Sequence, residues 1–395
     1  MTFCKTIVQT IFIVGCTLLL ALPMQAQDTI STDIQQRYQQ GLTALNSFQF
    51  EQAIPHFYEC HRAYNDNLNF LQQLGYCYFK IGNYRDAKLF FNKMLKLDST
   101  SVQAFSYLGA IAEQTANYHE ARSYYGELLG IDSTNSYYYK QNAYMCLKTG
   151  DVIPGIAFFL KAHELNPMDI EVIERLSAIY LELEQPGMAE QMLAKGLNLD
   201  AKNIRLLQLK ARIQNKLKNY EDVIASIVKT MDQGDTTSYY QMMLGVAYMR
   251  LDSVEQGIYH LEAITERGDD NEHTHHYLGT GYRQKGELEK SQAHYEKAIE
   301  LGISPKIALY YEDLAAIYEE QGDYKKAIAY FEKSYEHEAD AELLFHLARN
   351  HDLYYKDKRM AMRYYEQYSN TDDKKYQNYT AQRMEQLKEI IHFYK

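Results

Sequence analysis

The sequence contains no tryptophan, and of its 395 residues only 20 are glycine, 6 proline and 5 cysteine. Average usage puts glycine and proline together near ~12% of a chain, so the residues that build tight turns are scarce here. A sandwich or barrel of many short strands needs such turns at close intervals; it is excluded, and long helices are favoured. Cysteine is too sparse for a disulfide framework. Cys4 and Cys16 lie in an apolar N-terminal stretch, which leaves Cys60, Cys77 and Cys146 in a chain large enough to hold a core without bridges. These three read as small buried hydrophobes, with a Cys60–Cys77 pair as the alternative. Positive charge is also short: 41 Lys and Arg stand against 52 Asp and Glu, for a net charge of −11. No basic stripe longer than a few residues occurs, which argues against a nucleic-acid partner. With 46% hydrophobic and 24% charged residues the chain is not a disordered one.

Motifs for chemistry are missing as well. There is no G-x-x-x-x-G-K-[ST], no G-x-S-x-G and no H-E-x-x-H. Gly279-x-Gly281 does not make a dinucleotide loop, because the third glycine is Gly286 and no strand precedes it. The chain therefore reads as non-enzymatic, with no cofactor and no metal site. One cluster keeps a weaker metal reading alive. In Asp269-Asp270-Asn271-Glu272-His273-Thr274-His275-His276, His273 and His276 stand i, i+3 on a helix face, a spacing that can share an ion. The plainer reading is a polar turn whose acids favour a helix N-terminus.

Residues 1–26 have the composition of an export signal: Lys5, an apolar run from Ile7 to Leu22, and Ala26 before the cut. Two alternatives stay open, a retained anchor and lipid attachment at Cys16 in Ile13-Val14-Gly15-Cys16. All three take the body of the chain out of the cytosol, to the periplasm or cell envelope. Contact with a membrane is expected only through that anchor or lipid.

What the chain does have is a period. Small residues recur every 34 positions at Gly41, Gly75, Gly109, Ala143, Ser177, Ala211, Gly245 and Gly279. A parallel series runs Ala53, Ala87, Ala121, Gly155, Ala189, Val223, Gly257 and Ser291, each followed four residues later by a large apolar or aromatic side chain, Phe57 to Tyr295. Both resume after a two-residue insertion at Gly302–Pro305, as Ala315 with Ala327 and Phe331, then Ala348 with Ala361 and Tyr365. Each unit carries two amphipathic helices of about a dozen residues, with the i, i+3, i+4, i+7 stripe at Leu71, Leu74, Gly75 and Tyr78 in the second. One such pair cannot bury its own apolar face, so the units must stack.

Leu74-Gly75-x-x-Tyr78 with Ala87-x-x-x-Phe91, Leu244-Gly245-x-x-Tyr248, Leu278-Gly279-x-x-Tyr282 and Gly322-Asp323-Tyr324-x-x-Ala327 resemble the tetratricopeptide repeat. The resemblance implies an all-α fold: a right-handed α-solenoid of about ten 34-residue helix-turn-helix repeats over residues 34–369. The units start near 34, 68, 102, 136, 170, 204, 238, 272, 308 and 341. A capping segment, 370–395, follows, with a helix from Lys375 to Phe393.

Tyrosine is abundant, at 37 residues. A dozen of these occupy repeat positions 11, 17 or 24, where the ring packs between helices and its hydroxyl is expected near water. The resemblance further implies a concave surface lined by positions 2, 5, 9, 12 and 13 of each first helix. That assigns a partner-binding groove to Tyr38, Leu42, Gln72, Tyr76, Phe79, Tyr137, Lys140 and Tyr144, with Tyr239, Met242 and Met249 further along. The expected function is an exported scaffold that binds a protein or peptide there. Recognition of a glycan or exported polysaccharide through the tyrosines is the alternative. Lysine at position 5 with asparagine at 9, the family's carboxylate clamp, is not reproduced, since Tyr144 follows Lys140.

Overall fold

The computed structural model describes residues 30–235, 237–302 and 305–393. The N-terminal segment read as a signal or anchor, with Cys4 and Cys16, lies outside them, as do Ile303 and Ser304 of the insertion. The described residues form 21 helices and no strand.

The chain divides into two compact units, up to Phe158 and from Phe159. The first holds α1 (Thr32–Asn46), α2 (Phe50–Ala63), α3 (Leu68–Lys80), α4 (Tyr84–Leu97), α5 (Val102–Gln114), α6 (Tyr118–Ile131) and α7 (Ser136–Thr149), and it ends within α8 (Val152–Leu165). The second continues with α9 (Ile170–Glu182), α10 (Pro186–Leu199), α11 (Ile204–Lys216), α12 (Tyr220–Met231), α13 (Ser238–Arg250), α14 (Val254–Glu266) and α15 (Glu272–Gln284). It closes with α16 (Leu288–Leu301), α17 (Ile307–Glu320), α18 (Tyr324–His337), α19 (Ala341–Tyr354), α20 (Arg359–Ser369) and α21 (Gln377–Phe393). Within each unit consecutive helices pack in pairs that contact the next pair, and α21 lies on α20.

The same local physics recurs in most pairs. Asn67, Ser101, Asn135, Asp169, Asn203 and Asn271 end one repeat, and each side chain accepts a backbone N–H of the following helix, satisfying donors that the first turn leaves open. The turn between paired helices requires a left-handed residue. Gly82, Gly150, Gly286 and Gly322 supply it with φ of 77, 82, 77 and 80°. Phe48, Ala116, Glu184, Lys218 and Asp252 hold the equivalent position in five other repeats, with φ between 57 and 62°.

Close approach explains the small residues. A Cβ on Gly75 would lie 2.7 Å from Cζ of Phe91, the large residue of the second helix. Across the pair, rings also stack nearly parallel. Tyr78 lies on Phe90 in the first unit at a centroid distance of 5.6 Å. In the second, Tyr248 lies on His260, Tyr282 on His294 and Tyr318 on Tyr330 at 5.4, 5.5 and 5.4 Å.

The hydroxyls of these packed tyrosines differ from expectation. Tyr318 donates to Glu296 at 3.1 Å and Tyr125 to Glu113 at 3.3 Å, and Tyr282 donates to Glu262. Burial, with the neighbouring carboxylate, pushes all three phenols above their ordinary pKa. Hydrogen bonding to carboxylates of adjacent helices thus replaces contact with water. Cys60, Cys77 and Cys146 are buried and free, and burial pushes the Cys77 thiol up to about 12, which keeps it protonated.

Candidate partner-binding surfaces

In the first unit, α3 carries Gln72, Tyr76 and Phe79 on the side away from its packing stripe, all half-buried. Tyr76 stands edge-on to Phe50 of α2 at 6.0 Å and to Tyr107 of α5 at 5.8 Å, with Nζ of Lys80 5.4 Å from its ring centre. Phe79 meets Tyr107 at 5.4 Å, and Tyr107 stacks on Phe91 at 4.7 Å. The structure therefore gathers Tyr76 and Phe79 with two rings not anticipated as surface residues, Phe50 and Tyr107. Tyr107 stands at repeat position 6, which shares a helical stripe with positions 2, 9 and 13. The 3.6-residue period could have found it.

The other assignments in this unit divide by burial. Tyr38 is half-buried against Phe57 and Phe70, at 5.6 and 5.2 Å, and Leu42 packs beside it on the same core. Burial raises the Tyr38 pKa, as expected of a ring that serves packing as much as surface. On α7, Tyr137 is 47% exposed with Nζ of Lys140 6.0 Å from its ring centre, while Tyr144 is half-buried beside Phe105 and Met145.

In the second unit Tyr239 is 50% exposed and meets Tyr240 edge-on, and Met242 packs partly buried against the Leu261–Leu278 core. Met249 is a correction. It is only 6% exposed, because its side chain fills the space that Gly257 and Gly281 leave open, so it is a core residue with little surface for a partner.

The histidine cluster does not converge. Nδ1 of His273 shares a hydrogen bond with the Tyr310 hydroxyl at 2.8 Å, and Nε2 of His276 donates to Asp313 at 2.7 Å. His275 faces Asp270 and His294, at 2.8 and 2.9 Å. Three neighbouring imidazoles thus engage separate partners. No group of three or more His, Cys, Asp or Glu able to hold a metal ion occurs among the described residues.

Polar contacts link the first helices of the last repeats. Besides His276 with Asp313, Nε of Arg283 donates to Glu320 at 2.9 Å, and Nη1 of Arg349 lies 3.1 Å from Glu319. Burial pushes Glu319 up, but contacts with His346, Arg349 and Asn350 leave its carboxyl below the ordinary range. Glu312 is raised by burial and by the charge of Asp313. Next to this network lies a cleft of about 230 Å³. It is lined by Val246, Met249 and Arg250 of α13, by His276, Tyr277, Thr280 and Gln284 of α15, and by Leu309 and Asp313 of α17.

The tetratricopeptide repeat profile matches residues 68–101 and, in a second form, residues 270–337. The sequence matches no curated protein. Among solved structures, the chain is similar to a tetratricopeptide repeat protein of Parabacteroides merdae, at 15% identity over 63% of this chain and 98% of that one, with a TM-score of 0.45. It is also similar to MamA of Desulfovibrio magneticus, at 19% identity over 44% and 98%, TM-score 0.41. A third is YrrB, described as a TPR protein with an unusual peptide-binding site, at 17% identity over 47% and 94%, TM-score 0.40.

Proposed function

Since the chain is a tetratricopeptide-repeat protein, we propose that it is a non-enzymatic scaffold that binds a protein or peptide on the outer side of its first helices. The aromatic cluster of Phe50, Tyr76, Phe79 and Tyr107 carries this reading. Four rings from three helices meet edge to face and none is fully buried. An isolated repeat array gains nothing from keeping such apolar surface accessible, whereas a partner that covers it gains the burial of several rings. The rings are held by their neighbours before any partner arrives, so docking costs little side-chain ordering.

The test is capture of a partner by the full chain, compared between wild type and variants. Phe79→Ala and Tyr137→Ala should each reduce the amount captured by about tenfold. Tyr137→Ala should leave the melting temperature unchanged, because the ring is half exposed. Equal capture by wild type and both variants would remove this surface from the function.

The same reading places the scaffold outside the cytosol, in the periplasm or cell envelope, on the strength of Lys5, the Ile7–Leu22 run and Ala26. N-terminal sequencing of the protein from fractionated cells is expected to find a chain beginning near Gln27 in the exported fraction. An intact Met1 in the cytosolic fraction would overturn export.

A further inference from the structure

The first helices of the second unit differ sharply in charge. Helix α9 carries Glu171, Glu174 and Glu182, and α17 carries Glu312, Glu319 and Glu320. Between them, α11 and α13 hold Arg205, Lys210, Arg212, Lys216 and Arg250 and not one carboxylate. Two of these cations are neutralised by neighbouring carboxylates, Lys210 by Asp222 of α12 at 3.5 Å and Lys216 by Glu184 in the turn after α9 at 2.6 Å. Arg205, Arg212 and Arg250 form no ion pair among the described residues.

In a chain of net charge −11, three unpaired guanidiniums on two successive first helices are a local reversal of sign. Arg212 acts on Tyr240 of α13, which brings the two helices within electrostatic reach; two carboxylates, Asp235 and Glu174, act on the same tyrosine and border the patch. Arg250 is exposed and stands at the cleft between α13, α15 and α17. That cleft has an apolar lining in Val246, Tyr277 and Leu309, and its acid, Asp313, is engaged by His276. At about 230 Å³ it admits one aliphatic or aromatic side chain and is too small for a folded domain.

From this arrangement we infer that the outer side of α11 and α13 docks an acidic peptide segment of a partner protein, with carboxylates on Arg212 and Arg250 and one apolar side chain in the cleft. The inference rests on the binding-scaffold reading above and gives it a second surface with its own chemistry. Guanidinium is suited to the role, since it stays charged at any physiological pH and its planar donors match a carboxylate. An apolar anchor beside charge-assisted contacts divides the work, the first giving affinity and the second giving register and partner choice.

The probe is a short fluorescent peptide rich in aspartate and glutamate around a single leucine, titrated into the full chain. An otherwise identical peptide with asparagine and glutamine in place of the acids is the control. The acidic peptide is expected to bind at least about tenfold more tightly than its amide counterpart, and to lose that advantage as salt is raised. Arg212→Gln and Arg250→Gln should each weaken it by about tenfold, and exchanging the leucine of the peptide for alanine should do the same. Arg250 is exposed and Arg212 half-buried without an ion pair, so circular dichroism should show the variants folded as wild type.

Equal binding of the two peptides, or wild-type affinity in both arginine variants, overturns the inference. So does sedimentation showing that wild type is a dimer which the same variants dissociate, since the patch then belongs to a second copy. Capture by Phe79→Ala and Tyr137→Ala is measured in parallel. Loss of the acidic preference with capture still dependent on those two rings removes this site alone. Loss of their effect on capture removes the first surface instead.

Discussion

Phe48, Ala116, Glu184, Lys218 and Asp252 adopt positive φ at the turn where four other repeats have glycine. The left-handed conformation costs a residue with a Cβ about 1–2 kcal/mol, while glycine gives back part of that through its unfolded-state entropy. Lys218→Gly should therefore raise stability by about 0.5–1 kcal/mol, read as a higher urea midpoint with an unchanged slope. Gly75→Ala should have the opposite sign. Its new methyl would meet the Phe91 ring at 2.7 Å, and relief by shifting the ring costs about 1–3 kcal/mol. Gly126→Ala on α6 is the control, since its Cβ meets nothing within 4 Å and the gain in helix propensity, about 1 kcal/mol, is left unopposed. The recurrence of Gly75 and Phe91 at 34-residue intervals made both legible in the sequence as packing positions. The left-handed turn was legible only where glycine marks it. Lysine or glutamate at that position looks like ordinary helix surface, and only the backbone shows the strain.

At the scale of elements, the last helix is tied to the repeats by a buried charge. Asp352 of α19 is 6% exposed; Nε and Nη2 of Arg383 on α21 donate to its two oxygens at 2.6 and 3.0 Å, and Lys358 lies 3.4 Å away. Removing one partner of such a group leaves a desolvated charge, and the remaining lysine offsets part of it, so Arg383→Ala should cost about 2 kcal/mol. Hydrogen exchange should place the loss in α21 first, and adding Asp352→Asn should recover part of it. The amphipathic pattern led us to expect this helix from Lys375, and it begins at Gln377. What the pattern could not supply is the Asp352–Arg383 tie, because i, i+3 and i, i+4 spacing speaks only of contacts within one helix. The same limit explains the groove assignments. Positions 2, 5, 9, 12 and 13 include Tyr76, Phe79 and Tyr137, which keep accessible surface, but not Tyr107 at position 6, which meets Tyr76 and Phe79. Met249 occupies position 12 and is nevertheless core, because Gly257 and Gly281, on two other helices, open the space it fills.

For the molecule as a whole, buried histidine sets the response to acid. Burial holds His61, His163, His260, His294 and His351 below the ordinary imidazole pKa, with Lys93 adding to the effect at His61 and Lys195 at His163. Each is then less basic in the folded chain than in the unfolded one, where it titrates near ~6.5. The unfolded state takes up protons first. Stability contributed by the neutral rings is complete above that value and is lost as pH falls from there through the lower folded values. Urea midpoints should therefore drop between neutral pH and about pH 5. His351 is the sharpest case, since neither ring nitrogen has a hydrogen-bond partner. His351→Phe keeps the aromatic contacts with Tyr355 and Tyr364 and removes the proton site, so its midpoint should depend less on pH. An unchanged pH profile in that variant would assign the acid response to other groups.

The aromatic cluster on α2, α3 and α5 has an optical consequence. With no tryptophan in the chain, excitation at the red edge of aromatic absorption finds no native emitter, and Tyr76, Phe79 and Tyr107 remain spectroscopically silent there. A docked partner that carries a single indole becomes the sole fluorophore against that dark background. When the shorter-wavelength tyrosine band is excited instead, Tyr76 and Tyr107 join the other tyrosines of the chain as an antenna, and the transfer lost in Tyr76→Phe or Tyr107→Phe is the share of the cluster. Energy passed from the cluster to the indole would then reveal which end of the partner lies against it.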